Sequence, residues 1–332
     1  SIAGWGLRCH WMRPMRDWPL RVGAAMSEQG RESIAPALRH RADLQSLAYL
    51  VAQPVLMAWQ WWQGFSWPLF TLSLVLAVGV GVIHHNHAHL PMWRRKGFNR
   101  ATDLWVTLLQ GHPTCVFVPA HNGNHHRYRH GPGDVSATWR WGDHNHLVGW
   151  LWHPFQALTA IYPLVVAWLL RLWRRSPRRF AWCGFQYGLW LVSWGVLLRL
   201  DAGKACIIVI VPQLVGLHWL LAANYLQHAH ADGRSRWNYA RNFEGWVNRV
   251  WFNIGLHTAH HEAPRCHWSH LPALHDGLRA HIHPELIERS FAGYLWRVFV
   301  LGAFRQDCRS QSLMPVTDGG ASRVDNGLVG SR

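Results

Sequence analysis

The chain of 332 residues carries little charge, because Asp, Glu, Lys and Arg together make up 15% of it. Soluble globular domains usually have about 25% charged residues, so this composition argues against an ordinary soluble protein. Lysine is almost missing, since Lys96 and Lys204 are the only two, and acidic residues number 17. The formal net charge of +16 therefore comes almost entirely from arginine.

Cysteine is also sparse, and no two cysteines form a C-x-x-C pair. This spacing excludes a disulfide framework and a cysteine-based zinc or iron–sulfur site, so scattered reduced thiols are expected. The six are Cys9, Cys115, Cys183, Cys206, Cys266 and Cys308.

The basic residues show no recognition helix, zinc finger or RNA-binding motif, so no nucleic acid partner is expected. They cluster instead beside apolar runs, as in "WRRKGFNR" (93–100) and "RLWRRSPRR" (171–179). Arginine in such positions favours the cytoplasmic face of a membrane.

What the chain has in abundance is apolar, tryptophan and histidine residues: 49% are hydrophobic, with 24 Trp and 25 His. Four apolar stretches without an acidic residue are about as long as the hydrocarbon core of a bilayer requires. They lie at 44–62, 65–83, 180–198 and 205–223, and short links join them into two predicted helical hairpins.

A fifth apolar stretch, "LTAIYPLVVAWLL" (158–170), has thirteen residues and contains Pro163. Runs of this length more often lie at the membrane interface or re-enter it. With that stretch lying flat, four spans place the histidine clusters, the arginine clusters and both termini on one side. The positive-inside rule makes that side cytoplasmic.

The sequence therefore predicts an all-α membrane protein with four transmembrane helices and a cytoplasmic helical cap that carries the histidines. Residues 44–304 would form this membrane domain. Residues 1–43 are polar and arginine-rich and are predicted to be disordered, with part of the segment before Met26 expected to be upstream sequence. Residues 305–332 are predicted to be a disordered tail.

Histidine gathers in three clusters and one further element near the ends of the apolar runs: "HHNHAH" (84–89), "HNGNHH" (121–126), "HTAHH" (257–261) and "NYLQH" (224–228). Neutral imidazole is a good ligand for iron, zinc, copper and nickel. Nine histidines are too many for one zinc ion and suit two metal ions, whereas the scarcity of acidic residues argues against a carboxylate-rich di-iron bundle. The nine are His85, His89, His121, His125, His126, His228, His257, His260 and His261.

The histidines outside these nine are not predicted to be metal ligands. His84, His87 and His130 could support the ligands or contact lipid headgroups, while His40 is expected to be an ordinary polar or interfacial residue. His267, His270 and His275 fit no cluster and are assigned to the cap or the interface. Glu262 follows the last ligand, and two roles stay open for it: accepting a hydrogen bond from a ligand imidazole, or facing water.

The clusters resemble the membrane fatty acid desaturase superfamily, whose signature is three histidine boxes, H-x(3–4)-H followed by two H-x(2–3)-H-H. Here they stand as HHNHAH, HNGNHH and HTAHH, and Asn224 with His228 matches an additional N-x-x-x-H element of that family. "HRYRHGPGD" (126–134) and "SRWNYARNF" (235–243) are similar to further family stretches. The resemblance extends over about residues 44–300.

This resemblance implies an integral-membrane enzyme that uses two iron ions and O2 to introduce a double bond into a long-chain fatty acyl group. It implies that the nine histidines are the iron ligands and that Asn224 holds a water beside one iron. Oxidising an unactivated methylene needs a redox metal, which zinc is not. The boxes leave open the alternative of a hydroxylase or ketolase acting on an alkyl chain, sphingolipid or carotenoid.

Two further expectations concern partners and competing functions. The chain has neither a cytochrome H-P-G-G motif nor a cysteine cluster, so a separate donor such as ferredoxin or a cytochrome b5-like protein is expected to supply electrons. A histidine-rich metal transporter is disfavoured, because its ligands should lie within the spans, whereas here the histidines lie at the span ends.

Overall fold

The computed structural model describes residues 37–142 and 144–314, which are mostly helical. The predictions for residues 1–36, including the one concerning Met26, and for residues 315–332 lie outside the described residues. The four predicted spans correspond to four long helices. These are α1 (Asp43–Gln63), α2 (Trp67–His89), α5 (Pro177–Leu200) and α6 (Ala202–His228).

The turn between α1 and α2 shows how the sequence sets these boundaries. Gly64 follows α1 with φ of 101°, a conformation that residues with a side chain rarely adopt. Proline in the first turn of α2 suits a helix start, because its missing N–H would have no partner there. The two helices then pack against each other, and α2 packs most extensively against α6.

The fifth apolar stretch differs from its prediction, because residues 158–170 belong to a helix of 29 residues, α4 (Leu147–Arg175). His153 is a polar residue before the apolar run, yet the helix includes it. Its side chain is buried between the rings of Trp141 and Tyr225. Internal prolines are tolerated where neighbouring helices surround them. Three described helices, α2, α4 and α6, are long and apolar enough to cross a membrane by length and composition.

Contacts place α4 across the bundle near the histidine-bearing ends of α2 and α6. At its beginning, the Trp150 indole donates to the Ala222 carbonyl oxygen at 3.1 Å, six residues before His228. In its middle, the Tyr162 hydroxyl lies 3.1 Å from His112 Nε2, two residues before Thr114, whose carbonyl contacts the His84 ring. Only Ser176 separates the end of α4 from α5.

Side chains sort by polarity across the bundle. Large apolar side chains on α1, α4 and α5 are exposed, among them Trp59, Leu170 and Val192, as expected of surfaces that face lipid. Polar groups inside the bundle pair with each other: the Gln53 amide donates to Ser73 Oγ at 3.1 Å between α1 and α2. Such bonds between helices spare buried polar groups from remaining unsatisfied in an apolar medium.

The remaining elements form a cap over the histidine end of the bundle. It comprises α3 (Lys96–Gln110), a π-helix (Val118–His125), α7 (His257–Glu262) and α8 (Leu271–Leu278). A two-residue parallel ladder joins Asn242–Phe243 to Ile287–Glu288, and α7 and α8 pack through a buried aliphatic cluster.

The described part of the predicted tail is ordered against this cap. The Asn145 amide lies 2.6 Å from Ser310 Oγ, and the Leu313 amide donates to the His230 carbonyl oxygen at 3.0 Å. Residues 305–314 therefore belong to the folded unit, because polar tail groups find buried partners that sequence composition does not reveal.

Candidate metal centre

Four helical segments, one of them a π-helix, deliver the nine predicted histidines to one place. On the α-helical α7, His257 and His261 are four residues apart and point the same way, with Nε2 atoms 3.1 Å apart. The second box lies in a π-helix up to His125, and the His126 amide still donates to the His121 carbonyl oxygen, so this wider turn brings residues five apart together. His121 and His126 accordingly have Nε2 atoms 3.0 Å apart.

The nine imidazoles divide into two groups, and within each group the possible ligand atoms lie within 4.8 Å of one another. Each of the second and third boxes contributes to both groups, because adjacent histidines on a helix point in different directions. The first group is His85, His89, His121, His126 and His260, and the second is His125, His228, His257 and His261. All nine predicted residues are thus brought together.

The distances between the ring nitrogens fit metal coordination. His126 and His260 have Nε2 atoms 3.0 Å apart, and those of His228 and His257 are 3.1 Å apart. Two imidazoles bound at right angles at about 2.1 Å from one ion would have nitrogens about 3.0 Å apart. The Nε2 atoms of His85, His89 and His125 are buried without any hydrogen-bond partner, which is costly unless something else binds them.

The environment also keeps the imidazoles in the form that binds metals. Burial, followed by the neighbouring imidazoles, lowers the pKa of His121, His257, His260 and His261 well below the ordinary value. These rings are therefore neutral at neutral pH, and a neutral imidazole has a lone pair to offer.

A carboxylate that the sequence analysis did not single out orients one of the nine. Asp134 is fully buried, and its Oδ2 lies 2.7 Å from His125 Nδ1. Burial alone would raise the pKa of Asp134, but the His125 ring and the donors of Ser136 outweigh it and hold the pKa below its usual range. A carboxylate on Nδ1 directs Nε2 toward a metal. The feature of the sequence that could have pointed to Asp134 is its place at the end of "HRYRHGPGD" (126–134), a stretch that is similar to one in the family.

A second network includes Glu262 and gives it neither of the two roles considered. Its carboxylate accepts hydrogen bonds from Arg129 at 2.5 Å and from the Tyr239 hydroxyl at 3.0 Å. Tyr239 in turn accepts a bond from His228 Nδ1 on its main-chain carbonyl at 2.7 Å, and its ring packs 5.5 Å from that of His261. Glu262 therefore contacts the centre through Tyr239 and not directly.

Asn224 lies one helical turn before His228, on the same helix. It is half-buried, and its amide donates to the Ser136 carbonyl oxygen at 3.3 Å. That carbonyl belongs to the segment that supports His125, so Asn224 links α6 to the second box. Its predicted water-holding role stays a prediction.

Of the histidines that were considered as supports for the ligands, His84 and His87 have hydrogen-bond partners outside the metal centre. His84 Nδ1 lies 2.6 Å from Gln110 Oε1, and His87 Nδ1 accepts from the Met92 amide at 3.2 Å. The His130 ring stacks on that of His228 with centroids 5.1 Å apart. His275 is buried and paired with Glu244 at 3.1 Å.

A third group, which the sequence did not predict, joins His40, His267 and His270, with ligand atoms within 4.8 Å of one another. Burial, followed by the two neighbouring imidazoles, lowers the pKa of His40 to about 4.

The family model for fatty acid desaturases matches residues 39–292, which include all nine clustered histidines. The chain therefore belongs to the fatty acid desaturase family, as the histidine boxes predicted. No curated protein matches the chain.

Proposed function

We propose that this protein is an integral-membrane di-iron enzyme that introduces a double bond into a long-chain fatty acyl group. The observation that supports this most directly is the pair of all-imidazole groups, five and four histidines, within one family match. His85, His89, His121, His126 and His260 would hold one iron, and His125, His228, His257 and His261 the other.

Iron supplies the redox chemistry that lets dioxygen oxidise an unactivated C–H bond. In the overall reaction, two hydrogens leave adjacent carbons, and with two electrons and two protons from outside they convert O2 to two waters. The chain contributes buried neutral ligands that neither ionise nor admit bulk water. Asp134 and the Tyr239 carbonyl hold His125 and His228 in one orientation by accepting from their Nδ1 atoms.

Hydroxylation or ketone formation on the same scaffold is the competing function. It would use the same ligands and the same oxidant. After the first hydrogen is removed, transfer of oxygen to the carbon gives an alcohol, whereas removal of a second hydrogen from the neighbouring carbon gives a double bond. The histidines of both groups sit at the ends of helices and in the cap, so a transport pathway lined by them within the bundle receives no support.

Lipid analysis tests the proposal. Membranes of a host that expresses the chain should contain new unsaturated acyl chains, detected by gas chromatography with mass spectrometry, and the purified protein should contain iron. Hydroxylated or keto lipids without new double bonds would replace desaturation by the competing function. Activity that survives complete removal of iron would contradict both.

We further propose a multi-pass arrangement in which α1, α2, α5 and α6 cross the membrane and α4 lies at the interface on the histidine side. Both termini and the histidine boxes would be cytoplasmic. The contacts of α4 near the ends of α2 and α6 support this arrangement, as do the exposed arginines beside the boxes, Arg127 and Arg265. A small acidic donor, ferredoxin or a cytochrome b5-like protein, would dock on that basic surface.

Membrane vesicles of known orientation test the arrangement and the donor together. Reduced ferredoxin should support turnover in inside-out vesicles, and rising ionic strength should slow it because salt screens the attraction. The variants Arg127→Glu and Arg265→Glu should raise the KM for ferredoxin, whereas Arg199→Glu, exposed near the far end of α5, should not. Turnover only in right-side-out vesicles would reverse the orientation, and indifference to salt and to these variants would remove the docking surface.

A further inference from the structure

The third histidine group combines residues that are far apart in the chain. His40 lies just before α1, whereas His267 and His270 lie in the segment between α7 and α8. Asp43, the first residue of α1, lies beside this group: its Oδ1 is 3.2 Å from His267 Nε2, although it does not belong to the set whose ligand atoms all lie within 4.8 Å of one another. Three imidazoles and one carboxylate are thus presented from two segments, and none of them belongs to the nine-histidine centre.

The nitrogens of this group lack the partners that buried polar atoms normally have. The Nε2 atoms of both His267 and His270 are buried without a hydrogen bond, and the His267 residue is only 6% exposed. Although His267 Nε2 lies close to Asp43, the two atoms are outside hydrogen-bonding geometry. Leaving such atoms unsatisfied costs about 1–3 kcal/mol each in proteins, so a ligand for them is expected.

The buried carboxylate of Asp43 also favours the binding of a cation. Asp43 is 4% exposed, and its Oδ1 accepts from the Trp268 indole at 3.1 Å and from Ser46 Oγ at 3.2 Å, both neutral donors. Within the described residues, no lysine or arginine forms an ion pair with it. A buried carboxylate without a full positive charge nearby is destabilising, and a divalent ion would supply that charge.

The second ring nitrogen of His267 is held by Ser269. His267 Nδ1 accepts from the Ser269 amide at 3.3 Å and lies 2.8 Å from Ser269 Oγ. Hydrogen bonding of the second ring nitrogen is the usual arrangement at metal-binding histidines, and once Nε2 binds an ion, Nδ1 would carry the ring proton and donate it to Ser269 Oγ. The His40 ring stacks on His267 with centroids 4.0 Å apart, so its binding requires a rotation about its side-chain torsions.

We infer that His40, His267 and His270 form a separate zinc site, with the Asp43 carboxylate beside it. Imidazole ligands suit zinc, and the buried carboxylate next to His267 would help to balance the charge of the ion. The ion would tie the beginning of α1 to the segment that follows the third box. A small cavity lined by Asp43 and His267 on one side and by His89 and His260 on the other lies between this site and the main centre.

Metal analysis of the full-length protein in detergent tests the site. After mild chelation that leaves iron in place, the protein is incubated with Zn²⁺, and bound zinc and iron are measured by mass spectrometry. The native chain should bind about one zinc more per chain than His40→Gln or His270→Gln, with equal iron in all. Both substituted residues are only half-buried, so the fold should tolerate the change.

His275→Gln is the matched control, since His275 lies in α8 directly after that segment, is buried and is paired with Glu244; this variant should bind as much zinc as the native chain. Zinc should also raise the unfolding temperature of the native chain but not of His270→Gln. Equal zinc binding by the native chain and both variants would overturn the site. Loss of iron together with zinc in the variants would also overturn it as a separate site.

Discussion

Replacing His260 by alanine should reduce activity more than about 100-fold and should lower the bound iron, while the protein still inserts into the membrane. Supporting residues alone usually cost 10–100-fold, and His260 is a direct member of the five-histidine group, with Nε2 3.0 Å from that of His126. The loss leaves that iron with an incomplete ligand set. Product formation, iron content and membrane yield are measured on the same preparations.

The control for this variant is His275→Ala. His260 and His275 are both 3% exposed, so each substitution removes an equally buried imidazole, but only His260 belongs to a ligand group. The His275 variant should keep its iron and most of its activity. If His260→Ala retained full activity, its assignment as a ligand would be wrong; equal losses in both variants would indicate a general effect of burial.

Replacing Asp134 by asparagine should weaken iron binding by about 10–100-fold, the usual cost of removing a partner of a metal-binding histidine. The Asp134 carboxylate accepts bonds from His125 Nδ1, from the His130 amide at 3.0 Å, and from the amide and hydroxyl of Ser136 at 2.8 and 2.7 Å. In asparagine, an NH2 group replaces one of the two carboxylate oxygens and would face these N–H and O–H donors without being able to accept from them. The His125 ring would then lose the acceptor that orients its Nε2.

Iron retention during stepwise chelation measures this effect, and circular dichroism checks the fold. Asp103→Asn is the matched control, because Asp103 lies 3.7 Å from His87, a histidine outside both groups. That variant should retain iron like the native chain. An Asp134→Asn protein that holds iron as tightly as the native one would show that the helices alone position His125.

Part of the centre was predictable because its geometry is local. His85 and His89, four apart on a helix, must share a face, and the order and spacing of the boxes indicate a family on their own. The distribution of ligands between the two groups was less predictable, because it depends on helix pitch. Nothing in the sequence indicated that residues 118–125 form a π-helix. The wider turn of this helix places His121 beside His126, whereas His125 belongs to the other group.

Contacts that depend on the path of a turn or on the packing of distant segments were not predictable from the sequence. Asp134 reaches His125 through a turn that contains left-handed residues, Arg129 and His130, and composition says nothing about where such a turn points. Glu262 looked like a neighbour of the centre, yet its carboxylate turns to Arg129 and Tyr239. Spacing along the chain cannot report a contact between residues more than a hundred positions apart.

The amino-acid sequence by itself determined the helical class, the nine histidines and the family, and it located four of the long helices. Each of these follows from residue type and from spacing within one helix or one short segment. Only the tertiary structure decided the path of α4, the division of the nine imidazoles, and the meeting of His40 with His267 and His270. The physical reason is that these features depend on how separate helices pack, which brings distant residues within the few ångströms over which hydrogen bonds and metal ligands act.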